Sequence, residues 1–361
     1  MMKWQTHNTL LIGRIDDQQG TNKYACFDFD GTLITSKSNS KFLKNKDDWQ
    51  FKYDTVRPIL QKFDNHGFQI VIFTNQAGIQ RFNISNWQKM LDDIQKELNI
   101  KIIVYVSLDY DIYRKPYPTM WQKFIENRKY DIGKTFYCGD ACGRKNDFSD
   151  SDLKFALNCN MHFYTPEHIF MNQPNDFIYP NYNIFQKYLH DDTFSFETLK
   201  LQECPYTFEV EPKDNELLII VGSHCSGKTT FVNKYILPHN YVKFDQNTLN
   251  ASYFQKNARI VVDSTNGTII ERKKYIDIAT QNNFTVRCII MVCPLWLALH
   301  NSHYQYYISN GQNIILSDAL LESYRDKFEY PEKKEGIESI IKYYFVIDKK
   351  INLSKYFMFF I

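Results

Sequence analysis

A chain of 361 residues that is 43% hydrophobic has enough apolar content for more than one core, so two domains are expected. Lys and Arg number 43 against 41 Asp and Glu, a formal charge of +2, which excludes polyanion binding through overall charge and asks any nucleic-acid contact to come from a local patch. The eight cysteines are scattered with no C-x-x-C pair, no secretory leader precedes them and no apolar run reaches membrane-spanning length. An intracellular protein in a reducing compartment, with thiols in place of a disulfide frame, is therefore expected.

In chain order, Leu10-Leu11-Ile12 reads as a short strand, and residues 24–29 as a buried one ending at Gly31. That strand delivers Asp28 and Asp30 to its carboxyl end, where open α/β sheets place their ligands. Two such carboxylates suit phosphoryl transfer: one attacks phosphorus to form an aspartyl-phosphate, with Mg²⁺ masking charge, and the other shuttles the leaving-group proton. Residues 36–49 hold Lys37, Lys41, Lys44 and Lys46, read either as a solvated loop or as one that steers a phosphate-bearing strand.

A helix is expected over 56–66 with Gly67 as terminator, then a strand over 68–73 that runs into Thr74-Asn75. A hydroxyl and an amide there can hold phosphoryl oxygens without adding charge. A helix over 86–98 and a strand over 100–106 precede Tyr113-Arg114-Lys115-Pro116, where Lys115 can neutralise a transferring phosphoryl group or be an ordinary loop lysine. A strand over 135–138 ends in Gly139-Asp140, a carboxylate suited to a hard cation. Of Asp147, Asp150 and Asp152, one can support that metal site while the others cap a helix over 153–158.

Residues 172–215 are read as a linker packed on one or both domains. A strand over 216–221 then leads into Gly222-Ser223-His224-Cys225-Ser226-Gly227-Lys228-Thr229-Thr230, which fits the P-loop pattern between a strand and a helix over 230–237. Backbone N–H groups would cradle ATP phosphates, Lys228 would reach them and Thr229 would ligate Mg²⁺. A strand over 259–263 ends in Asp263, placed to hold the metal's water shell. A helix over 268–281, a strand over 285–292 and a helix over 317–328 complete a second three-layer α/β domain.

Asp28-Phe29-Asp30-Gly31-Thr32 resembles the first motif of the haloacid-dehalogenase phosphatases. With Thr74-Asn75-Gln76-Ala77-Gly78-Ile79, Arg114-Lys115-Pro116 and Gly139-Asp140-Ala141-Cys142-Gly143-Arg144, it is similar to the phosphatase half of the polynucleotide kinase 3′-phosphatase family. The resemblance runs through Asp147-Phe148-Ser149 to Thr165-Pro166-Glu167-His168. It implies Asp28 as nucleophile, Asp30 as general acid and base, Thr74 and Lys115 on the phosphoryl group, and Mg²⁺ on Asp28, Asp140 and the Asp30 carbonyl. The P-loop, residues 241–249, Asp263-Ser264-Thr265-Asn266, His300-Asn301 and Tyr324-Arg325 are similar to the kinase half in the same order.

The resemblance implies domains at 1–172 and 216–361, joined by a linker over 173–215. It also implies a monomer acting on nucleic-acid strand ends, with DNA favoured over RNA. The chain departs from the family at Gln246-Asn247, where an Arg-Asp pair carries the base, and at His303 and Gln305, where lid arginines stand. Asp245 is the neighbouring carboxylate that could take over as base. Two other readings stay open: a small-molecule phosphatase fused to a nucleotide kinase, and a phosphatase with a nucleotide-binding module that transfers nothing. The first usually carries a Cys/His zinc loop, and here no cysteine lies between Cys26 and Cys138.

Overall fold

The computed structural model describes residues 2–15, 21–78, 83–179, 211–347 and 351–360, with only the backbone at Leu353. It divides into two units: Met1–Asn181 with Phe357–Phe360, and Tyr182–Tyr356 with Ile361. Of the expected linker, residues 180–210 lie outside the described residues.

The first unit is built on strands β1 (Lys3–His7), β2 (Leu10–Arg14), β3 (Tyr24–Phe27), β4 (Ile34–Ser36), β5 (Trp49–Phe51), β6 (Gln69–Asn75), β7 (Ile102–Ser107), β8 (Phe136–Cys138) and β9 (His162–Tyr164). Seven of them form one sheet in the order β1-β2-β7-β6-β3-β8-β9. Its five strands from β7 to β9 run parallel, and β1 and β2 add an antiparallel margin. Both faces are covered, so the strands read as unbroken apolar runs rather than alternating ones. Ala25, Phe27, Ile70 and Ile72 pack on one face with Val56 and Leu60 of α1 (Val56–Asn65) and Trp87 and Leu91 of α2 (Ile84–Leu98). Tyr24, Cys26, Val71 and Phe73 pack on the other with Trp121 and Phe124 of α3 (Thr119–Ile125) and Phe155 of α4 (Ser151–Asn158). The short helix α5 (Pro166–Met171) adds Phe170 to the first face. Phe357–Phe360 belongs to this unit because the Asn158 carboxamide accepts the Phe359 N–H at 2.7 Å and donates to the Phe359 carbonyl at 2.8 Å.

The second unit has five strands, β10 (Glu216–Val221), β11 (Val242–Phe244), β12 (Arg259–Asp263), β13 (Thr285–Val292) and β14 (Ser339–Tyr344), all parallel in the order β11-β12-β10-β13-β14. Leu217, Ile219 and Val221 face Tyr275 and Ile276 of helix Ile269–Gln281, while Leu218 and Ile220 face Phe231, Val232 and Ile236. That helix opens with a capping box between Thr268 and Glu271. Two α/β units are present, as the expected fold class requires, with Phe357–Phe360 of the expected second domain falling to the first unit, and no described helix is long and apolar enough to cross a membrane.

Candidate active site

In the first unit, β3 pairs with β6 on one side and β8 on the other, so the chain leaves β3 at a switch point of the sheet. The three carboxyl ends there converge. Asp28 follows β3, its N–H donating to the Cys138 carbonyl at 2.8 Å; Thr74 and Asn75 end β6; Gly139 and Asp140 follow β8. Beyond Asp28 the backbone turns tightly at Gly31 (φ +76°), and a Cβ there would meet Asp140 Oδ2 at 2.4 Å. Glycine is what lets the Asp140 carboxylate stand against the first loop.

Lys115 reaches into this cluster and is 4% exposed. Its ammonium donates to Asp28 Oδ1 at 2.5 Å, to Asp152 Oδ1 at 2.7 Å and to the Tyr137 hydroxyl at 2.9 Å. Tyr137 donates onward to Asp152 Oδ1 at 3.1 Å, and Asp152 Oδ2 accepts the Ala141 N–H at 3.1 Å. Ligand atoms of Asp28, Asp140 and Asp152 all lie within 4.8 Å of one another, a donor set of hard oxygens that fits a divalent cation. Burial raises the Asp28 carboxyl well above its usual range; Lys115 opposes that, and the charges of Asp152 and Asp140 add to it. Burial, then the charge of Asp152, pushes Asp140 up to about 6. Lys115 is raised despite burial, because Asp152 and Asp28 outweigh the lost hydration.

Asp30 is the exposed member of the set, its Oδ2 accepting from the Gln76 amide, which also donates to Thr74 Oγ1 at 3.0 Å. The side chain as a whole reaches solvent, yet the protein crowding its carboxyl raises it, with the Gln76 bond opposing. Asn75 is placed differently from the expectation of direct phosphoryl contact. Its carboxamide accepts the Lys115 N–H at 2.9 Å and donates to the Lys115 carbonyl at 3.2 Å, so it pins the loop that aims the lysine. Of the three later aspartates, Asp152 joins the cluster. Asp147 instead accepts the N–H groups of Cys142 and Arg144, both at 3.1 Å, and Asp150 sits at the α4 N-cap position without a side-chain cap bond. Gln76 and Tyr137 are site residues to which the sequence reading gave no role, and Asp152 is the one of the three aspartates that it left undecided. Gln76 could have been found from its place directly after Thr74-Asn75, whereas nothing in the sequence marks Tyr137, a core residue by pattern.

The lysine-rich stretch closes the β4–β5 ribbon, which starts three residues beyond Gly31. Asp48 organises it, accepting from Ser36 Oγ at 3.0 Å, Ser38 N–H at 2.9 Å, Ser38 Oγ at 2.8 Å and Lys44 N–H at 2.9 Å. Those donors, the Lys44 N–H first, hold its carboxyl down at about 2. Phe42 and Phe148 are 74% and 84% exposed, and the Lys41 ammonium lies 4.7 Å from the Phe148 ring centroid.

In the second unit the loop after β10 curls back on itself, with Cys225 (φ +54°) and Gly227 (φ +90°) in the left-handed region. A Cβ on Gly222 would meet Ser226 Oγ at 2.8 Å. The Lys228 ammonium donates to the carbonyls of Gly222 at 3.0 Å and Ser223 at 2.5 Å, and burial lowers its pKa to about 8. Ser223 Oγ and Ser226 Oγ are buried here without a hydrogen-bond partner, donors that a phosphate would satisfy. Thr229 Oγ1 donates to Asp263 Oδ2 at 2.7 Å, and Lys243 Nζ lies 3.8 Å from the same oxygen. The expected helix over 230–237 begins earlier, as Lys228–Phe231, and widens into a π-turn over Val232–Ile236.

Asp245, just past β11, is spent on a turn: Oδ1 accepts the N–H groups of Asn247 at 2.8 Å and Thr248 at 3.0 Å and the Thr248 hydroxyl at 3.1 Å. Those bonds lower its pKa. His303, on helix Leu295–Ile308, is pushed down to about 4 by burial and is neutral at pH 7, and Gln305 is exposed.

A phosphatase-like α/β unit with buried carboxylates and a P-loop unit in one chain define a two-site phosphoryl-transfer protein. The family model described as polynucleotide kinase 3 phosphatase matches residues 23–170. The bifunctional polynucleotide phosphatase/kinase of Schizosaccharomyces pombe is 31% identical over 354 residues, which cover 94% of this chain and 84% of that protein. The polynucleotide 3′-phosphatase of Saccharomyces cerevisiae is 32% identical over 213 residues, covering 43% of this chain and 89% of its own. Among solved structures, a D,D-heptose 1.7-bisphosphate phosphatase from B. bronchiseptica covers 43% of this chain and 88% of its own, with a TM-score of 0.34 and 16% identity, too slight a likeness to argue from. This chain belongs to the bifunctional polynucleotide phosphatase/kinase family of enzymes.

Proposed function

We propose that this chain processes nucleic-acid strand ends, DNA in preference to RNA, removing 3′-phosphates in the first unit and phosphorylating 5′-hydroxyls from ATP in the second. The observation that carries this reading is a relative, bifunctional by name, that matches 94% of this chain and so reaches into both units. The extents proposed are 1–172 for the phosphatase, completed by Phe357–Phe360, and 216–356 for the kinase, with 173–215 between them, in a monomer of the cell's reducing interior.

In the phosphatase, an Asp28 carboxylate oxygen attacks phosphorus and the bond from phosphorus to the 3′-oxygen breaks. Asp30 gives its proton to that departing oxygen. Asp30 then takes a proton from the water that cleaves the aspartyl-phosphate, which releases inorganic phosphate and restores both carboxyls. Thr74 and Lys115 hold the phosphoryl oxygens, Asp152 and Asn75 aim Lys115, and Gln76 orients Asp30. Mg²⁺, held by Asp28, Asp140 and the Asp30 carbonyl, would neutralise charge on those oxygens. The exposed rings of Phe42 and Phe148, with Lys41 against them, offer unpaired bases a stacking surface and a cation, which favours a strand end over a small phosphate ester.

In the kinase, residues 222–230 would cradle the ATP phosphates and Lys228 would neutralise them, while Thr229 and Asp263, already hydrogen-bonded to each other, would hold Mg²⁺. Asp245 is the candidate base, and its turn bonds weaken it, so transfer is slow. The two substitutions Asp28→Asn and Lys228→Ala test the reading. The first is expected to end 3′-phosphate removal and spare ATP binding, the second to do the reverse. Loss of both activities from either change would contradict two independent sites.

A further inference from the structure

The P-loop of the second unit is held from outside by a residue chain that neither the motif nor the proposed chemistry uses. Cys225 adopts φ +54° in mid-loop, a conformation that residues other than glycine rarely take. Its carbonyl accepts from Asn301 Nδ2 at 3.0 Å. Asn301 stands on helix Leu295–Ile308 and is 4% exposed. Its Oδ1 accepts from the Tyr356 hydroxyl at 2.6 Å, which fixes which way round the carboxamide sits.

Tyr356 is 1% exposed and closes the one-turn helix Leu353–Tyr356. It is fixed in turn: its carbonyl accepts from His300 Nε2 at 2.7 Å, and its ring centroid lies 5.0 Å from those of His300 and Tyr304. Burial keeps His300 neutral, with its pKa near 4, so this bond does not change across physiological pH.

We infer that Asn301 and Tyr356 are positioning residues for nucleotide binding: together they clamp the Cys225 carbonyl and so hold the P-loop open for a nucleoside triphosphate. A turn with left-handed residues points successive N–H groups inward as an anion cradle, and that cradle is lost if the turn relaxes. The segment 351–356 thereby becomes part of the nucleotide site although it lies more than a hundred residues from the P-loop in sequence. The inference rests on the reading of the second unit as an ATP site.

The test is calorimetric titration of MgATP into the full chain, wild type and three variants, Tyr356→Phe, Asn301→Ala and the pair. Tyr356→Phe keeps the ring packing and removes only the hydroxyl, so it serves even if Asn301→Ala fails to fold. Loss of one neutral buried hydrogen bond corresponds to roughly three- to ten-fold weaker MgATP binding. The double variant is expected to be no weaker than Asn301→Ala alone, because both changes break one path. KM for a 5′-hydroxyl strand should not move. Wild-type binding with Tyr356→Phe within two-fold of it would overturn the clamp. Absence of wild-type binding would overturn the ATP-site reading, and the clamp with it.

Discussion

Lys115 Nζ lies 2.5 Å from Asp28 Oδ1 and 2.7 Å from Asp152 Oδ1, so one buried ammonium is shared between the proposed nucleophile and a carboxylate on the first turn of α4. The sharing has an energetic side and a chemical one. Two carboxylates this deep are tolerable because a cation stands between them, and the same cation faces the place where phosphoryl charge would gather.

Lys115→Met should therefore cost both stability and activity. Breaking a buried pair leaves uncompensated charge and costs about 3–5 kcal/mol, which denaturant unfolding would register. Phosphatase turnover should fall at least ~10²-fold with it. Asp152→Asn should be milder, a ~10–100-fold loss of turnover, since it disturbs only the aim of Lys115. Near-wild-type turnover in Lys115→Met would remove the lysine from the mechanism.

Much of this site is legible in the sequence because its residues sit at strand ends. Apolar runs betray the buried strands; Asp28 and Asp140 stand one and two residues beyond theirs, and Thr74 is the last residue but one of its own. Asp152 is harder to read. An acidic residue in the first turn of a helix has an ordinary explanation in the helix dipole, and only the fold reveals that this one is buried against Lys115. Asn75 shows the limit in another way: its residue type suits phosphoryl contact, but its side chain is taken by the backbone of Lys115. The strand Ser339–Tyr344, at the edge of its sheet, and the helix Leu295–Ile308 lack a clear periodicity in sequence.

The second prediction concerns pH. Burial and the charge of Asp152 lift Asp140 to about 6, above the value of ~4 expected for an unfolded chain. A raised carboxyl favours folding in its protonated form. The resulting cost is absent below pH ~4, grows between ~4 and 6 and is constant above. Metal binding requires the charged form. Added Mg²⁺ should thus raise the thermal midpoint clearly at pH 7 and much less at pH 5; an equal gain at both would speak against Asp140 as a ligand.

A third prediction falls on the lysine-rich loop. The four bonds to Asp48 depress its carboxyl to about 2, so its contribution to order is present above pH ~4 and is lost as pH falls through 2. Asp48→Ala removes that organiser at every pH. KM for a 3′-phosphate oligonucleotide should rise several-fold while hydrolysis of a small aryl phosphate stays unchanged. Equal effects on both substrates would mean that the loop does not touch the strand.

The kinase unit yields a fourth. Asn247 cannot accept a proton, Asp245 is held in a turn, and neutral His303 offers the migrating phosphoryl group no charge. Asn247→Asp should raise 5′-phosphorylation by an order of magnitude or more, and Asp245→Ala should lower the wild-type rate. Robust wild-type activity untouched by Asp245→Ala would show that the base lies elsewhere.

The central claim, two end-processing activities in one chain, meets its most direct test on a single substrate. A DNA strand bearing both a 3′-phosphate and a 5′-hydroxyl is incubated with the protein and Mg²⁺, with and without ATP, and both ends are followed on one gel. The account predicts loss of the 3′-phosphate in either condition and slow gain of a 5′-phosphate only with ATP. A strand left unchanged at both ends, by protein that hydrolyses small phosphate esters, would contradict it.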